Sequence, residues 1–320
     1  MEIIVKTNPS YKIKIEKGIV LKGGLPEGFV ITDSNVYSRY KELIKGPCFV
    51  LPAGEKSKTI ETYVEIIKKI GNTDKIIALG GGVVGDIAGF VASTYKRGIP
   101  LIQIPTTLLA MVDSGIGGKN GVDLGEKKNY IGTIYQPEEV LIDPDFLKDL
   151  PEEEFNNGLA EVIKYSYLFN KPPFEIMKNK ITKDSKELIN IVYESCKAKA
   201  EIVELDEKDK GIRHTLNFGH TIGHAIELLT GLKHGEAISI GMVKETGLAI
   251  NLGIKEEEDK IRLIKALKAN SLPLTFPEKI NINKVIGIMG YDKKGEFIFA
   301  FDRNNSNVKV NEKDIRKILI

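Results

Sequence analysis

The sequence predicts an α/β protein whose first half is a mostly parallel, doubly wound sheet and whose second half is mainly helical. Short apolar runs alternate with amphipathic segments up to about residue 144, whereas helical patterns dominate from Pro151 onward. Strands that alternate with helices favour a parallel sheet, because each crossover helix returns the chain to the same end. A chain of 320 residues suits about two domains. We place them at 1–148 and 149–320.

Strand and helix signals follow one another through the first half. Residues 2–6 and 11–15 alternate between polar and apolar side chains and predict a hairpin. Apolar runs bounded by turn residues predict strands over 29–35, 48–54, 75–82, 100–107 and 138–144, and amphipathic patterns predict helices over 36–45 and 57–70.

The second half predicts helices over 151–169, 184–206, 217–231, 236–252 and 256–269, and a strand over 296–301. The first of these helices begins with a proline and three acidic residues, which suits the positive end of a helix dipole.

Charge and cysteine usage exclude several classes of protein. Lys and Arg total 46 against 44 acidic residues, so the net charge of +2 gives no general reason to bind nucleic acid or an acidic membrane. The two cysteines form no CxxC pair, as in a reduced protein. Neither a secretory leader nor an apolar run of about 18 residues occurs. We expect a cytoplasmic protein without a nucleic-acid or membrane partner.

A glycine turn, GGGVVGD at 80–86, follows a predicted strand and precedes a helix. Gly80, Gly82 and Gly85 satisfy the G-x-G-x-x-G pattern, which lets backbone approach a pyrophosphate at a helix start. The alternative is a tight turn without a ligand. The turn lies in mid-domain, and the next strand ends in threonines rather than an acid. Because parallel strands end at one edge, a shared site would include Asp33, Gly81, Asp86, Thr106 and Asp113.

The histidines are concentrated in one stretch. All four, at 214, 220, 224 and 234, lie within 21 positions. His220 and His224 share a helix face, and His234 follows that helix, so the pattern suits zinc. Spacing alone makes His220 and His224 the first ligands to test, and it leaves the oxygen ligand open among Glu161, Glu227 and Glu236. The alternative is a set of helix-packing histidines.

Basic residues are scattered rather than clustered. The glycine-rich stretch 113–129 carries Lys119, Lys127 and Lys128, and isolated cations stand elsewhere. Lysine or arginine beside glycine-rich backbone can hold a phosphate or carboxylate. Each of these basic residues could instead be an ordinary solvated surface charge. Glu161 and Lys164 are also three residues apart, the spacing of a common ion pair on a helix.

Several long blocks together resemble the 3-dehydroquinate synthase family. They are PAGEKSK (52–58), GGGVVGDIAGFVASTYKRGI (80–99), QIPTTLLAMVDSGIGGKNGVDL (103–124), GLAEVIKY (158–165), GIRHTLNFGHTIGHAIE (211–227) and HGEAISIGM (234–242). The resemblance implies a dinucleotide-binding α/β domain followed by a helical domain that binds metal and substrate. It departs at Asp209, where the family has Glu, at Asp149, where Thr is common, and in a shorter C-terminal region.

The resemblance implies a role for each matching residue. Zinc or cobalt is held by Glu161, His220 and His234, which replaces the spacing argument, and His224 acts on the substrate beside the metal. NAD is bound by Asp33, Glu55, Lys58, Gly81, Gly82, Val83, Asp86, Thr106, Thr107, Asp113, Lys119, Lys128, Phe146 and Leu150. Substrate is bound by Arg97, Asp113, Lys119, Asn129, Lys164, Lys199, Arg213, Asn217, His224 and either Lys293 or Lys294. The catalytic residues among these are His224, Lys164, Lys119 and Asn217.

The implied reaction converts 3-deoxy-D-arabino-heptulosonate 7-phosphate to 3-dehydroquinate and phosphate in a homodimer. NAD transiently oxidises C5, phosphate is eliminated, C5 is reduced again, and an aldol step closes the ring. Three alternatives are a sister sugar-phosphate cyclase, a metal-dependent polyol or glycerol-phosphate dehydrogenase, and a non-catalytic NAD sensor. The residue types at Lys199, Asn217 and His224 favour the dehydroquinate reaction over the sister cyclases.

Overall fold

A computed structural model describes residues 1–125, 127–277, 280–290 and 296–319, and the chain divides into two compact units. The first unit contains Met1–Phe155 and Lys186–Glu204, and the second contains Asn156–Ser185 and Leu205–Ile320. The predicted α/β class is confirmed. The domain boundary at 148/149 stays a prediction; the first unit differs from a continuous domain by taking in a later stretch of chain.

A seven-stranded sheet forms the centre of the first unit. Its strands are β1 (Glu2–Val5), β2 (Tyr11–Ile15), β3 (Phe29–Asp33), β4 (Cys48–Leu51), β5 (Ile76–Gly80), β6 (Leu101–Pro105) and β9 (Glu139–Ile142), in the order β1-β2-β9-β6-β5-β3-β4. Only β1 and β2 pair antiparallel within it, as the alternating hairpin pattern predicts. Every residue of β5 and β6 is buried, which explains their continuous apolar runs.

The strand order changes direction between β3 and β5. The chain passes from β3 to β4 on one side and then returns to pair β5 with the other side of β3. Helices α1 (Ser34–Tyr40), α2 (Ile60–Lys69) and α3 (Gly82–Thr94) follow β3, β4 and β5 respectively. In open parallel sheets, ligands bind beyond the strand ends at such a switch point. The predicted glycine turn therefore lies where this fold class binds ligands.

A second hairpin was not predicted. Strands β7 (Lys119–Leu124) and β8 (Lys127–Ile134) pair antiparallel as a separate sheet. The hairpin packs against α3 at Gly89, where an added Cβ would come within 1.8 Å of Asn120 Oδ1. Residues 113–129 are rich in glycine and lysine, and this composition does not indicate strands. The packing against α3 that stabilises the hairpin is a tertiary contact, which the local sequence does not reveal.

Helices make up most of the second unit. They are α4 (Glu152–Phe169, which begins in the first unit), α5 (Phe174–Met177), α7 (His220–Thr230), α8 (His234–Asn251), α9 (Glu257–Ala269), α10 (Ile282–Met289) and α11 (Glu312–Leu319), with β10 (Phe297–Phe299) pairing with β11 (Val308–Val310). Helix α6 (Leu188–Leu205) belongs almost entirely to the first unit. The sequence did not predict α5, α10, β11 or α11. None of the helices in the described residues is long and apolar enough to cross a membrane.

Helices α7 and α8 approach each other closely through glycines. A Cβ at Gly241 would lie 2.0 Å from the carbonyl oxygen of Gly219, and one at Gly223 would lie 3.1 Å from that of Ala237. Side chains of α7, α8, α11 and the β10–β11 pair then form a common apolar core. Because all four histidines lie on or just before these two helices, their packing sets the geometry of the histidine cluster.

Candidate active site

Three side chains of the second unit converge on a point that can hold a metal ion. Glu161 lies on α4, His220 begins α7 and His234 begins α8. Glu161 Oε1 is 3.5 Å from His220 Nε2 and 3.6 Å from His234 Nε2. All the possible ligand atoms lie within 4.8 Å of one another, and Glu161 is fully buried.

The structure separates the three carboxylates that sequence spacing left open. Glu161 faces both histidine nitrogens. Glu227 instead contacts the other nitrogen of His234, with Oε2 3.1 Å from Nδ1. Glu236 accepts the backbone N–H of Lys233 at 3.0 Å and so caps its own helix. His224, Glu227 and His234 also form a group close enough to hold an ion.

Hydrogen bonds on the outer ring nitrogens orient the two histidines. The carbonyl oxygen of Phe218 is 3.1 Å from His220 Nδ1, which leaves Nε2 directed at Glu161. Burial and the positive charge of Lys164 hold the pKa of His220 well below its usual value, so its imidazole is neutral. Burial lowers the pKa of His234, but the hydrogen bonds that Glu161 and Glu227 accept from its ring, together with their negative charges, outweigh burial and raise that pKa to about 9.

Lys164 and two exposed side chains complete this site. Lys164 is 1% exposed, contacts Glu161 Oε2 and donates to the carbonyl oxygen of Leu216 at 2.7 Å. Asn217, His220 and His224 line a groove of about 630 Å³. The His224 ring centroid lies 5.1 Å from that of His220. Apolar side chains also line the groove: Ala225, Leu228, Ile288, Met289 and Ile298.

Arg213 lies in a tightly held turn of the second unit. The carboxylate of Asp206 accepts backbone N–H groups from Lys210, Gly211 and Arg213 at 2.7 to 3.1 Å. The Arg213 side chain is 3% exposed and donates to the carbonyl oxygen of Glu207 at 2.9 Å. Asp206 was missed from the sequence, because an acid in a polar turn gives no signal that it organises the backbone.

The residues predicted to bind the nucleotide lie at the ends of strands in the first unit. Asp33 ends β3, and its Oδ1 caps α1 by accepting N–H groups of Asn35 and Val36 at 2.8 and 3.0 Å. Gly81 stands between β5 and α3, and Gly82 and Val83 form the first turn of α3. Added Cβ atoms would lie 3.2 Å from Thr107 at Gly81 and 3.0 Å from Ser114 at Gly82. Part of the glycine pattern therefore serves close internal packing.

An ion pair between a buried lysine and a partly buried aspartate lies beside this turn. Lys58 Nζ is 2.5 Å from Asp86 Oδ2 and 3.8 Å from Glu55 Oε1. Burial raises the pKa of Asp86 to about 6, although Lys58 acts in the opposite direction. For Lys58, the attraction of Asp86 and Glu55 outweighs the effect of burial and raises the pKa. Sequence spacing linked Asp86 to the site, but not to Lys58.

Asp113 and Lys199 form a second pair in the first unit. Lys199, on α6, donates to the carbonyl oxygen of Asp113 at 2.8 Å and contacts its carboxylate. Thr107 Oγ1 accepts the N–H of Ala110 at 3.2 Å, and the backbone of Thr106 bonds to that of Gly80 at 3.0 Å. The two threonines thus belong to the turn that follows β6 and ends in a π-helical segment at Ala110–Ser114.

The β7–β8 hairpin brings two predicted substrate residues, Lys119 and Asn129, into one groove. Asp86, Lys119, Asn129 and Thr133 line a groove of about 500 Å³. Asn129 has a φ of 51° and donates its backbone N–H to Asp123 Oδ1 at 2.6 Å. Left-handed backbone is unfavourable for most residues, so this bond holds Asn129 in place. Asp123 is a further residue that the sequence did not indicate.

Arg97 lies at a strained turn after α3. Lys96, Arg97 and Gly98 all have positive φ, at 49°, 66° and 116°. Lys96 anchors the turn by donating to Asn72 Oδ1 at 2.7 Å and to Asp74 Oδ1 at 3.1 Å. Arg97 itself is exposed. A costly backbone conformation beside an exposed guanidinium is typical of a functional position.

Other predicted site residues have different surroundings. Phe146 is 1% exposed and packs edge-on against Tyr40, with ring centroids 5.0 Å apart. Leu150 ends the same short turn, whose Asp149 accepts the Tyr40 hydroxyl at 2.8 Å. Lys128 is exposed on β8. Lys293 and Lys294 lie outside the described residues.

Comparison with known families covers most of the chain. The family model described as 3-dehydroquinate synthase N-terminal matches residues 48–157, and the one described as 3-dehydroquinate synthase C-terminal matches residues 158–295. A 3-dehydroquinate synthase of Thermoanaerobacter sp. (strain X514) is 44% identical over 317 residues, covering 91% of this chain and 89% of that protein. One from Desulforamulus reducens is 40% identical over 348 residues, covering 98% and 97%.

Solved structures share the fold. The 2-epi-5-epi-valiolone synthase from Streptomyces hygroscopicus subsp. jinggangensis 5008, with NAD⁺ and Zn²⁺ bound, matches with a TM-score of 0.82 and 26% identity, covering 97% of this chain and 95% of that one. A 2-deoxy-scyllo-inosose synthase in complex with carbaglucose-6-phosphate, NAD⁺ and Co²⁺ matches with a TM-score of 0.86 and 24% identity, covering 100% and 99%. At that identity the second likeness concerns the fold alone.

Proposed function

Because the chain belongs to the 3-dehydroquinate synthase family, we propose that its residues carry out that family's reaction with NAD and a divalent metal. The reaction converts 3-deoxy-D-arabino-heptulosonate 7-phosphate to 3-dehydroquinate and phosphate, so the enzyme is a lyase. The observation that carries the proposal is the Glu161–His220–His234 cluster in a chain of this family.

The cluster fits a tetrahedral zinc or cobalt ion. Metal–ligand bonds of about 2.0–2.1 Å at a tetrahedral angle separate neighbouring donors by about 3.3 Å. Glu161 Oε1 lies 3.5 and 3.6 Å from the two histidine nitrogens. Three protein donors leave a position for substrate, as catalytic zinc sites require. We assign Glu161, His220 and His234 as the ligands, which leaves His224 to act on the substrate.

The chemistry divides between cofactors and side chains. When bound, metal and NAD supply Lewis acidity at the C5 oxygen and reversible oxidation of that carbon. His224 projects into the groove, where an imidazole can take a proton on one nitrogen while donating from the other. Lys164 holds the Glu161 carboxylate, and Asn217 offers amide donor and acceptor atoms to the sugar hydroxyls.

The first unit offers a fitting nucleotide site. The partly buried start of α3 provides backbone N–H groups at a strand switch point, where a pyrophosphate is favoured. Asp33 ends the neighbouring strand, which suits a contact with ribose hydroxyls. Around that turn we assign Glu55, Lys58, Gly81, Gly82, Val83, Asp86, Thr106, Thr107, Asp113, Lys119 and Lys128, with Phe146 and Leu150 supporting the site through packing.

Cations of the chain suit the anionic groups of the substrate. We assign Lys119, Arg97 and Asn129 to the phosphate, because Lys119 and Asn129 line one groove. Lys199 and Arg213 are assigned to the sugar acid, although both also hold neighbouring backbone. Asp113 orients Lys199. Lys293 completes the proposed set from outside the described residues.

Three broader statements belong to the same proposal. We keep domains at 1–148 and 149–320, a homodimer, and a cytoplasmic location. Family membership supports the homodimer, and two unpaired thiols, Cys48 and Cys196, agree with a reduced compartment. Light scattering of the purified protein tests the dimer, since a mass near one chain of 35.5 kDa would contradict it.

Turnover without net redox change is the decisive test. The protein would be stripped of metal, reloaded with Zn²⁺ or Co²⁺, and supplied with the heptulosonate phosphate and catalytic NAD. We expect phosphate and dehydroquinate in equal amounts and no accumulation of NADH. Net NADH with a polyol phosphate would indicate the dehydrogenase instead. No turnover of the heptulosonate phosphate, but phosphate release from another sugar phosphate, would indicate a sister cyclase.

A further inference from the structure

Glu245 is a fully buried carboxylate that the proposed reaction does not use. It lies on α8 and is 0% exposed. Its Oε2 accepts the backbone N–H of Gly219 at 2.6 Å, and its Oε1 accepts that of Ile222 at 3.1 Å. Both donors belong to the start of α7, the helix that carries His220 and His224. A side chain of one helix therefore caps the next.

The cap compensates for a weakness in α7. The residue before this helix is Gly219, with φ of 82°, so the helix has no side chain of its own at the N-cap position. The first N–H groups of a helix have no partner within it and need an acceptor when buried. Glu245 supplies that acceptor through its two carboxyl oxygens.

Stability alone does not explain a carboxylate at this position. Burial raises the pKa of Glu245 to about 8, while the N–H groups of Ile222, Gly219 and Thr221 act in the opposite direction. A carboxyl group removed from water costs free energy even when it is protonated, and well-packed apolar replacements of buried ionisable groups are often neutral or stabilising. The carboxyl group of Glu245 is therefore better explained by a function that requires the start of α7 to be held in a fixed position.

The contact lies between the two helices that provide histidine ligands. His234 begins α8 and His220 begins α7, directly after the Gly219 N–H that Glu245 binds. Gly219 and Gly241 let the two backbones approach closely at this crossing, where a Cβ at Gly241 would lie 2.0 Å from the carbonyl oxygen of Gly219. The Glu245 hydrogen bonds then fix the position and direction of the first turn of α7.

We propose that Glu245 is a positioning residue of the metal site, because it fixes the start of α7 and so the placement of His220 relative to His234 and Glu161. This inference rests on the proposed metal function. Removal of Glu245 then weakens metal binding and changes the coordination geometry, although Glu245 touches neither the metal nor the substrate.

Metal affinity of the purified enzyme tests the proposal. The metal-free full-length chain and its Glu245→Met variant would be titrated with Zn²⁺ against a competing chelator. We expect the zinc dissociation constant to rise about tenfold or more, as for other groups that orient ligands. Visible absorption of the Co²⁺-loaded enzymes, which reports ligand geometry, is expected to change with it.

Two further variants separate positioning from general stability. Glu245→Gln keeps one oxygen acceptor and is expected to bind zinc with an affinity between those of wild type and Glu245→Met. Thr246→Val alters the neighbouring residue, which is buried and bonds to its own helix. We expect this control to bind zinc within twofold of wild type, whatever its thermal unfolding temperature.

Defined outcomes overturn the proposal. Wild-type zinc affinity and an unchanged Co²⁺ spectrum in Glu245→Met, with only a lower unfolding temperature, would make Glu245 merely structural. If Glu245→Met does not fold, wild-type affinity in Glu245→Gln would have the same meaning. Failure of the wild-type chain itself to bind zinc would instead refute the proposed metal function.

Discussion

The second unit builds its site from side chains, whereas the first unit presents mainly backbone. Glu161, His220 and His234 come from three helices and meet at 3.5 to 3.6 Å within a helical unit. In the first unit, the glycine turn and the start of α3 lie at the ends of parallel strands. A side-chain site depends on each residue, while a backbone site tolerates many side-chain changes and depends on the fold.

The largest expected effect is in the second unit. His234→Ala removes one of the three proposed metal donors, so we expect metal affinity to fall by more than about a hundredfold. Loss of a group that only orients a ligand typically costs about 10- to 100-fold. Turnover should fall in proportion at limiting zinc. Metal content after dialysis and phosphate release measure both.

His214→Ala is the matched control for that change. His214 bonds to Asn307 Oδ1 at 2.7 Å and belongs to neither group that can hold an ion. We expect full metal content in this variant. Equal metal loss in the two variants would mean that the cluster is not the metal site.

The Lys58–Asp86 pair tests whether the first unit also contains a side-chain-dependent element. Lys58→Met leaves a partly buried carboxylate without its cation, so we expect the free energy of unfolding to fall by about 2 kcal/mol at pH 8. NAD affinity should fall as well. Urea unfolding and NAD titration measure the two effects.

Adding Asp86→Asn to Lys58→Met separates the loss of stability from the loss of NAD affinity. The double variant should regain most of the lost stability because no buried charge remains, while its NAD affinity stays low. A double variant as unstable as Lys58→Met would contradict this account of the pair.

Asp86 also predicts a dependence of stability on pH. Its folded pKa of about 6 lies above the value of about 3.9 for an unfolded chain, so the folded state holds an extra proton between these values. Its contribution to the free energy of unfolding therefore falls as pH rises from about 4 to about 6. Lys58, Glu55 and Lys199 face the same group.

The matched comparison uses Asp86→Asn. Between pH 4.5 and 6.5, wild type should lose about 2 kcal/mol relative to this variant. The measurement is urea unfolding of both metal-free proteins at the two pH values. Parallel pH profiles would exclude Asp86 as the group that titrates.

The smallest expected effect concerns the hairpin. Asp123→Ala removes the acceptor that holds the Asn129 backbone, so we expect KM for the heptulosonate phosphate to rise about tenfold or less with kcat nearly unchanged. Steady-state kinetics measure this split. Glu139→Ala removes another partly exposed carboxylate, paired with Lys14, and should leave KM unchanged. A similar rise in both variants would assign the effect to charge alone.

The sequence predicts the two sites unequally. Four histidines within one stretch are rare enough to indicate a cluster, but helical spacing favours His220 and His224, and only His220 lies in the group with Glu161 and His234. Spacing alone did not select the carboxylate, because Glu161, Glu227 and Glu236 all lie on predicted helices. Their selection depends on which side chain is buried beside the histidines, and that is a property of tertiary packing.

In the first unit, the sequence predicts the strands of the main sheet better than it predicts the contacts between side chains and backbone. Apolar runs predict most of its sheet strands to within a few residues, because buried parallel strands leave continuous patterns. The hairpin at Lys119–Ile134 was missed, since three glycines and several lysines mask a strand whose burial comes from α3. Likewise, Asp123 and Asp206 act on backbone N–H groups, and no residue pattern marks such contacts.

Helix α6 lies late in the chain but packs in the first unit, and this affects folding during synthesis. It contributes the Lys199 contact to Asp113, the Cys196 thiol contact to the carbonyl oxygen of Met111 and the Glu204 contact to the backbone of Lys6. During synthesis, these partners leave the ribosome long before residue 204 does. The first unit therefore cannot complete its contacts until a segment of the second, 156–185, has also emerged. A nascent chain ending at residue 155 would expose the surface that α6 covers, and it would be a substrate for chaperones.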